Sequence, residues 1–95
     1  IPMDLTGKTV LLTGATGGLG RAIAKALAGR GARLIVSSRK AEELDELVAS
    51  LPGSGHRRIV SDLAATGAGP ALLAEAGPID VLVANAALPA SGKLD

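Results

Sequence analysis

Leu11-Leu12-Thr13-Gly14-Ala15-Thr16-Gly17-Gly18-Leu19-Gly20-Arg21 is an apolar run that enters a glycine-rich turn and leaves it as a helix. Lys8 to Thr13 is strand-like, and Leu19, Ile23 and Leu27 recur at helical spacing. The glycines divide the work of such a turn: Gly14 for a tight exit from the strand, Gly18 for a bare backbone that a diphosphate can approach, Gly20 for close packing of helix on strand. A helix that begins there directs unsatisfied N–H groups and a partial positive charge at the same point. The spacing predicts a pyrophosphate cradle for a dinucleotide.

From this stretch outward, apolar and polar runs alternate in a βαβαβαβ rhythm, which predicts a parallel sheet with helices on its faces. Strands are expected at Thr9 to Thr13, Ala32 to Ser37, Arg57 to Ser61 and Ile79 to Ala84, the last interrupted only by Asp80. The first helix is expected over Gly18 to Ala28 with Leu19, Ala22, Ile23, Ala26 and Leu27 buried, and Gly29-Arg30-Gly31 ends it. In the second helix Leu44, Leu47, Val48 and Leu51 form the buried stripe, with Glu42 and Glu43 in the first turn, where the dipole favours negative charge. Pro70 suits the first turn of a third, shorter helix with Leu72, Leu73 and Ala76 on its apolar side. Right-handed crossovers from a central first strand, with one reversal of direction, give the order 3-2-1-4 and put the cradle at the switch point.

Composition narrows the function. The chain has 95 residues, no Cys, no aromatic residue and a formal net charge of +1. A core built from aliphatic side chains alone is modest at this length. The near balance of charge gives no reason to expect nucleic-acid or membrane partners, and nothing here can stack on a base. The lack of Cys excludes disulfides, thiolate metal sites and cysteine nucleophiles and fits a reducing, cytoplasmic setting. No apolar run approaches the roughly 20 residues of a membrane span, and no leader is expected before the first strand; Met3 is the expected natural start. His56, the single histidine, has no partner for a metal site and reads as a solvent-facing loop residue. Glu42, Glu43, Asp45 and Glu46 read as an exposed helix face.

Cofactor choice is made roughly 20 residues past the cradle, at the end of strand two. An acidic residue there would hold the ribose hydroxyls of NAD. The chain has Ser37-Ser38-Arg39-Lys40 instead. A guanidinium and an ammonium pair with a 2′-phosphate, Arg39 with two parallel bonds, so NADP is expected over NAD. Asp62, after strand three, either accepts from an adenine amino group or caps a local turn. Asn85, after strand four, either bonds the cofactor ribose or ties two strand ends together.

Three motifs in this order, Thr13-Gly14-x-x-x-Gly18-x-Gly20, Asp62-Leu63 and Asn85-Ala86-Ala87, resemble the amino-terminal half of a short-chain dehydrogenase/reductase, with a Rossmann-type doubly wound α/β sheet. Because Gly17 is also glycine, the turn fits the family's extended, epimerase-like branch as well, whereas Asn85-Ala86-Ala87 resembles the Asn-Ala-Gly of the single-domain oxidoreductases, with Ala87 a departure. The resemblance implies cofactor contacts from Thr13, Gly14, Thr16, Gly17, Gly18, Leu19 and Gly20 in the cradle. It adds Ser38, Arg39 and Lys40 at the 2′-phosphate, Asp62 and Leu63 at the adenine, and Asn85, Ala86 and Ala87 near the ribose. The Ser and Tyr-x-x-x-Lys that such enzymes use for proton transfer are absent from this sequence, which has no Tyr, so no catalytic residue and no metal ligand is expected within it.

Residues 1–95 therefore read as a partial NAD(P)-binding domain of an oxidoreductase. The full-length protein would act on a small-molecule alcohol or carbonyl compound and could form an oligomer through its missing part. The rival reading is a non-catalytic NADP-binding module.

Overall fold

A computed structural model of the chain describes residues 5–62 and 66–85. The elements run β1 (Thr9–Thr13), α1 (Gly18–Gly29), β2 (Arg33–Ser38), α2 (Ala41–Ser50), β3 (Arg57–Val60), α3 (Ala68–Ala76) and β4 (Val81–Ala84). They build one parallel sheet in the order β3-β2-β1-β4, as the crossover argument requires. The register sets Thr13 beside Ser37 on one side and beside Ala84 on the other. The carboxyl ends of the three strands thus finish level around the glycine turn.

Two cores lie on the two faces of the sheet, and the alternation of β1 separates them. Val10 and Leu12 point to the face covered by α1 and α2, where they pack with Leu34, Val36, Leu44, Leu47 and Leu51. Leu11 points the other way and meets Ile35, Ile59, Leu72 and Ala76 under α3. A strand sandwiched on both faces needs an unbroken apolar run, which Val10 to Leu12 and Leu34 to Val36 supply.

Helix α1 sits on the sheet in a different rotation from the one its Leu and Ile residues predict. The buried stripe is Gly20, Ala24 and Ala28, with Ile23 and Leu27 half-buried beside it; Ala22 and Ala26 are exposed and Leu19 is 66% exposed. The cause is the close approach at Gly20. A Cβ there would fall on the Gly14 carbonyl oxygen and within 2.9 Å of the Ala15 backbone carbons, so this residue must face the strand exit. Small side chains every fourth residue then let the rest of the helix lie flat. In α2, Leu44, Leu47 and Leu51 are buried as expected and Val48 is half-buried; in α3, Leu72 and Ala76 are buried but Leu73 is 49% exposed, on the flank of the helix.

Strand ends differ from the sequence reading by one or two residues, each for a local reason. β2 begins at Arg33 because the N–H of Ala32 still bonds the Leu27 carbonyl of the helix stop, at 3.3 Å, in a turn closed by Gly31 at φ 95°. β3 ends at Val60, although the Ser61 N–H still reaches the Ser38 carbonyl. β4 begins at Val81 because Asp80 is occupied otherwise: the Thr9 N–H donates to its Oδ2 at 2.8 Å, while its own N–H donates to the Thr9 carbonyl at 2.8 Å. The carboxylate that looked like an interruption is a clamp that starts the β1–β4 pairing.

His56 also has a structural role in place of the expected solvent-facing one. Its Nδ1 accepts from the Leu34 N–H at 3.0 Å, so the proton is on Nε2, which donates to the Pro52 carbonyl at 2.6 Å. The ring joins the loop after α2 to the start of β2.

Candidate functional site: a glycine turn and its cationic rim

The site grows from the exit of β1. Gly14, at φ 64°, turns the chain in a conformation open to glycine at little cost, and Gly17 caps α1 in an extended conformation. No side chain caps this helix and no acidic residue lies in its first turn, so the orphan N–H groups of the turn and the positive end of the dipole are uncompensated. A Cβ at Gly18 would meet nothing within 4 Å. Gly18 is the first residue of α1, so this space borders the uncapped helix end, a kind of position that suits an anion.

The turn is braced from both flanks. The Ala15 N–H donates to the Ser37 carbonyl at 3.1 Å, tying it to the end of β2. From the β4 side, the Asn85 N–H donates to the buried Thr13 Oγ1 at 3.1 Å and its Nδ2 donates to the Gly14 carbonyl at 3.3 Å. These bonds make the tie between strand ends that is one of the two sequence readings for Asn85. On the helix side, Arg21 Nε–H donates to the Thr16 carbonyl at 3.0 Å, fixing the middle of the turn.

A cationic rim lies at the end of β2, one step from the cradle. The Lys40 N–H donates to Ser38 Oγ at 3.0 Å, which curls the chain through Arg39 into α2. Arg39 is exposed, and among the described residues its guanidinium has no hydrogen-bond or ion-pair partner. Lys40 and Arg21 are different: the Glu43 carboxylate takes Arg21 at 3.4 Å through Oε1 and Lys40 at 3.8 Å through Oε2. Glu43 is thus no idle member of an exposed acidic face, and neither is Asp45, which pairs with Arg58. Sequence reasoning missed Arg21 and Glu43 as rim residues, because their meeting depends on how α1 and α2 pack.

The candidate residues Thr13, Gly14, Thr16, Gly17, Gly18, Leu19, Gly20, Ser38, Arg39, Lys40 and Asn85 lie together along the carboxyl ends of β1, β2 and β4. Asp62 is exposed just past the carboxyl end of β3. Leu63, Ala86 and Ala87 lie outside the described residues. No group of three or more His, Cys, Asp or Glu that could hold a metal ion occurs among the described residues, and no helix there is long and apolar enough to cross a membrane.

A family described as short chain dehydrogenase matches residues 8–95. L-xylulose reductase of Bos taurus is 44% identical over 86 residues, covering 90% of this chain and 34% of that protein. Among solved structures, a short chain dehydrogenase/reductase family protein superposes with a TM-score of 0.82 at 35% identity, over 90% of this chain and 36% of the other. The Pseudomonas aeruginosa RhlG/NADP active-site complex superposes with a TM-score of 0.79 at 31% identity, over 93% and 38%. The chain spans about a third of the length of the curated relatives it matches.

Proposed function

The chain belongs to the short-chain dehydrogenase family, and from that premise we propose that it is the cofactor-binding portion of an NADP-dependent oxidoreductase acting on a small alcohol or carbonyl compound. The observation that carries the proposal is the Arg39 guanidinium, without a partner among the described residues, on the rim of a glycine turn whose helix end is uncapped and whose Gly18 face is open. The N–H groups of the first turn of α1 would take the pyrophosphate, and the exposed Leu19 side chain would lose water against the bound dinucleotide. Arg39 would take the 2′-phosphate, with Lys40 next to it in the chain and its ammonium held by Glu43. Asp62 and Leu63 would lie at the adenine. Thr13 and Asn85 hold the turn in shape, and Ala86 and Ala87 would serve the ribose.

When bound, the nicotinamide supplies hydride transfer; the residues of this chain bind and orient it. No tyrosine occurs in the sequence, so the proton exchange that accompanies hydride transfer belongs to residues outside these 95, and the region is a partial NAD(P)-binding domain. A ketose or polyol substrate is supported by the likeness to L-xylulose reductase. The cysteine-free composition supports a reducing, cytoplasmic setting.

Calorimetric titration with NADPH and NADH tests the cofactor reading. NADPH should bind more tightly, and Arg39→Asp should reverse the order, since loss of a charged hydrogen bond costs about 1.5–3 kcal/mol. Equal affinity of the unmutated chain for both cofactors would remove Arg39 from the argument.

A further inference from the structure

We propose that Glu43 is a positioning residue that sets how strongly the rim prefers a 2′-phosphorylated nucleotide: by engaging Arg21 and Lys40 it withholds two cations from the phosphate and leaves the work to Arg39. The inference rests on the reading that Arg39 receives a 2′-phosphate, and adds a residue on the next helix that limits it.

Three cations surround the end of β2, and one carboxylate holds two of them. Arg21 is engaged twice, by the Thr16 carbonyl at 3.0 Å and by Glu43 Oε1 at 3.4 Å, so its guanidinium is laid along the first turn of α1. Lys40 has its backbone anchored on Ser38 Oγ beside Arg39, yet its ammonium is drawn to Glu43 Oε2 at 3.8 Å, one turn into α2. Arg39, between them in the chain, has no such partner among the described residues. A phosphate dianion arriving at Arg39 thus meets one free guanidinium, two cations already matched by a negative charge, and that negative charge itself.

The pair with Lys40 is held rather than locked. The lysine side chain is 61% exposed and the pair is of the weak surface kind. Glutamine at position 43 keeps the shape and removes the charge, releasing the ammonium toward the rim and removing the repulsion. A nucleotide whose ribose carries only neutral hydroxyls gains little from the change. Glu42, one residue earlier, is exposed, has no hydrogen-bond or ion-pair partner among the described residues and gives the control for a general shift in charge.

The test is an NMR titration of the chain, Glu43→Gln and Glu42→Gln with 2′,5′-ADP and with 5′-AMP at low ionic strength. These probes occupy the adenosine half of the site and differ only in the 2′-phosphate. In Glu43→Gln the affinity ratio of 2′,5′-ADP to 5′-AMP should rise about three- to tenfold, the range expected when one charge several ångströms from a dianion is removed in a partly solvated setting. Glu42→Gln should leave the ratio within about twofold. An unchanged ratio in Glu43→Gln, or an equal rise in both variants, overturns the inference. The unmutated chain's own ratio is a separate readout: no preference for 2′,5′-ADP refutes the NADP reading, while a rise in Glu43→Gln from that baseline still supports the role of Glu43. If neither nucleotide binds any of the three proteins, both readings fall.

Discussion

Replacing Gly20 with Ala should damage the fold, whereas the same change two residues earlier should leave it intact. At position 20 the new methyl group would land on the Gly14 carbonyl oxygen and on the Ala15 backbone. These atoms are backbone, braced by the Ser37 and Asn85 hydrogen bonds, and cannot swing aside as a long side chain would. Overpacking of this kind costs about 1–3 kcal/mol, and the site falls at the upper end because no flexible neighbour absorbs the strain. Alanine returns at most about 1 kcal/mol in helix propensity, less in a first turn. The net loss is about 2 kcal/mol, which in a domain of this size lowers the melting midpoint by roughly 8–16 °C.

At Gly18 the methyl group meets nothing within 4 Å, so Gly18→Ala should hold or slightly raise stability, by up to about 1 kcal/mol. It occupies the space where a diphosphate would approach, so dinucleotide affinity should fall at least tenfold, about 1.4 kcal/mol. Urea unfolding and a nucleotide titration on both variants separate the two roles. A Gly20→Ala chain as stable as its parent would refute the close-approach account of α1's rotation. A Gly18→Ala chain with undiminished affinity would refute the placement of the cradle.

His56→Ala removes the acceptor for the Leu34 N–H and the donor to Pro52, and should cost about 1–2 kcal/mol in chemical denaturation; a change below a few tenths would show the ring to be dispensable. Asp80→Ala should speed hydrogen exchange at the Thr9 amide and fray the start of β4, with little effect at β2 and β3; uniform acceleration across the sheet would contradict a local clamp. Among the described residues β4 pairs with β1 alone and exposes Val81 (40%) and Leu82 (52%), so the 95-residue chain should self-associate in analytical ultracentrifugation at micromolar concentration, and Leu82→Lys should restore the monomer. A monomeric parent at high concentration would show this edge to be protected.

The sheet was legible because its central strands, β1 and β2, are buried on both faces and announce themselves as unbroken Val, Leu and Ile runs, while each crossover contributes a single helix. The cradle was legible because its glycines are spaced by backbone geometry and not by packing. Helix α1 was misread in rotation for the same reason that it packs well: its Leu, Ile and Ala residues surround the axis, so periodicity in large side chains does not identify the stripe, and the deciding contact is an absent Cβ at Gly20. Glu43 and His56 were misread because the Arg21 partner of the one and the Leu34 partner of the other lie on other elements. A carboxylate in a helix first turn and a histidine in a glycine-rich loop are both adequately explained locally, and only the docking of α2 beside α1 and of the loop beside β2 assigns them partners.

The bonds that brace the glycine turn differ greatly in how far apart along the chain their ends lie. β1 finds β2 across one helix, but the Asp80 clamp on Thr9 and the Asn85 tie to Gly14 each span 71 positions. Closing the longer loop costs about 1 kcal/mol more in chain entropy, so β1, β2 and α1 can assemble before β4 joins them. The brace from Asn85 needs β4 in place. The turn's brace from β4 is thus its long-range one, and a nucleotide seated on the turn would act at a distance as a fastener for β4.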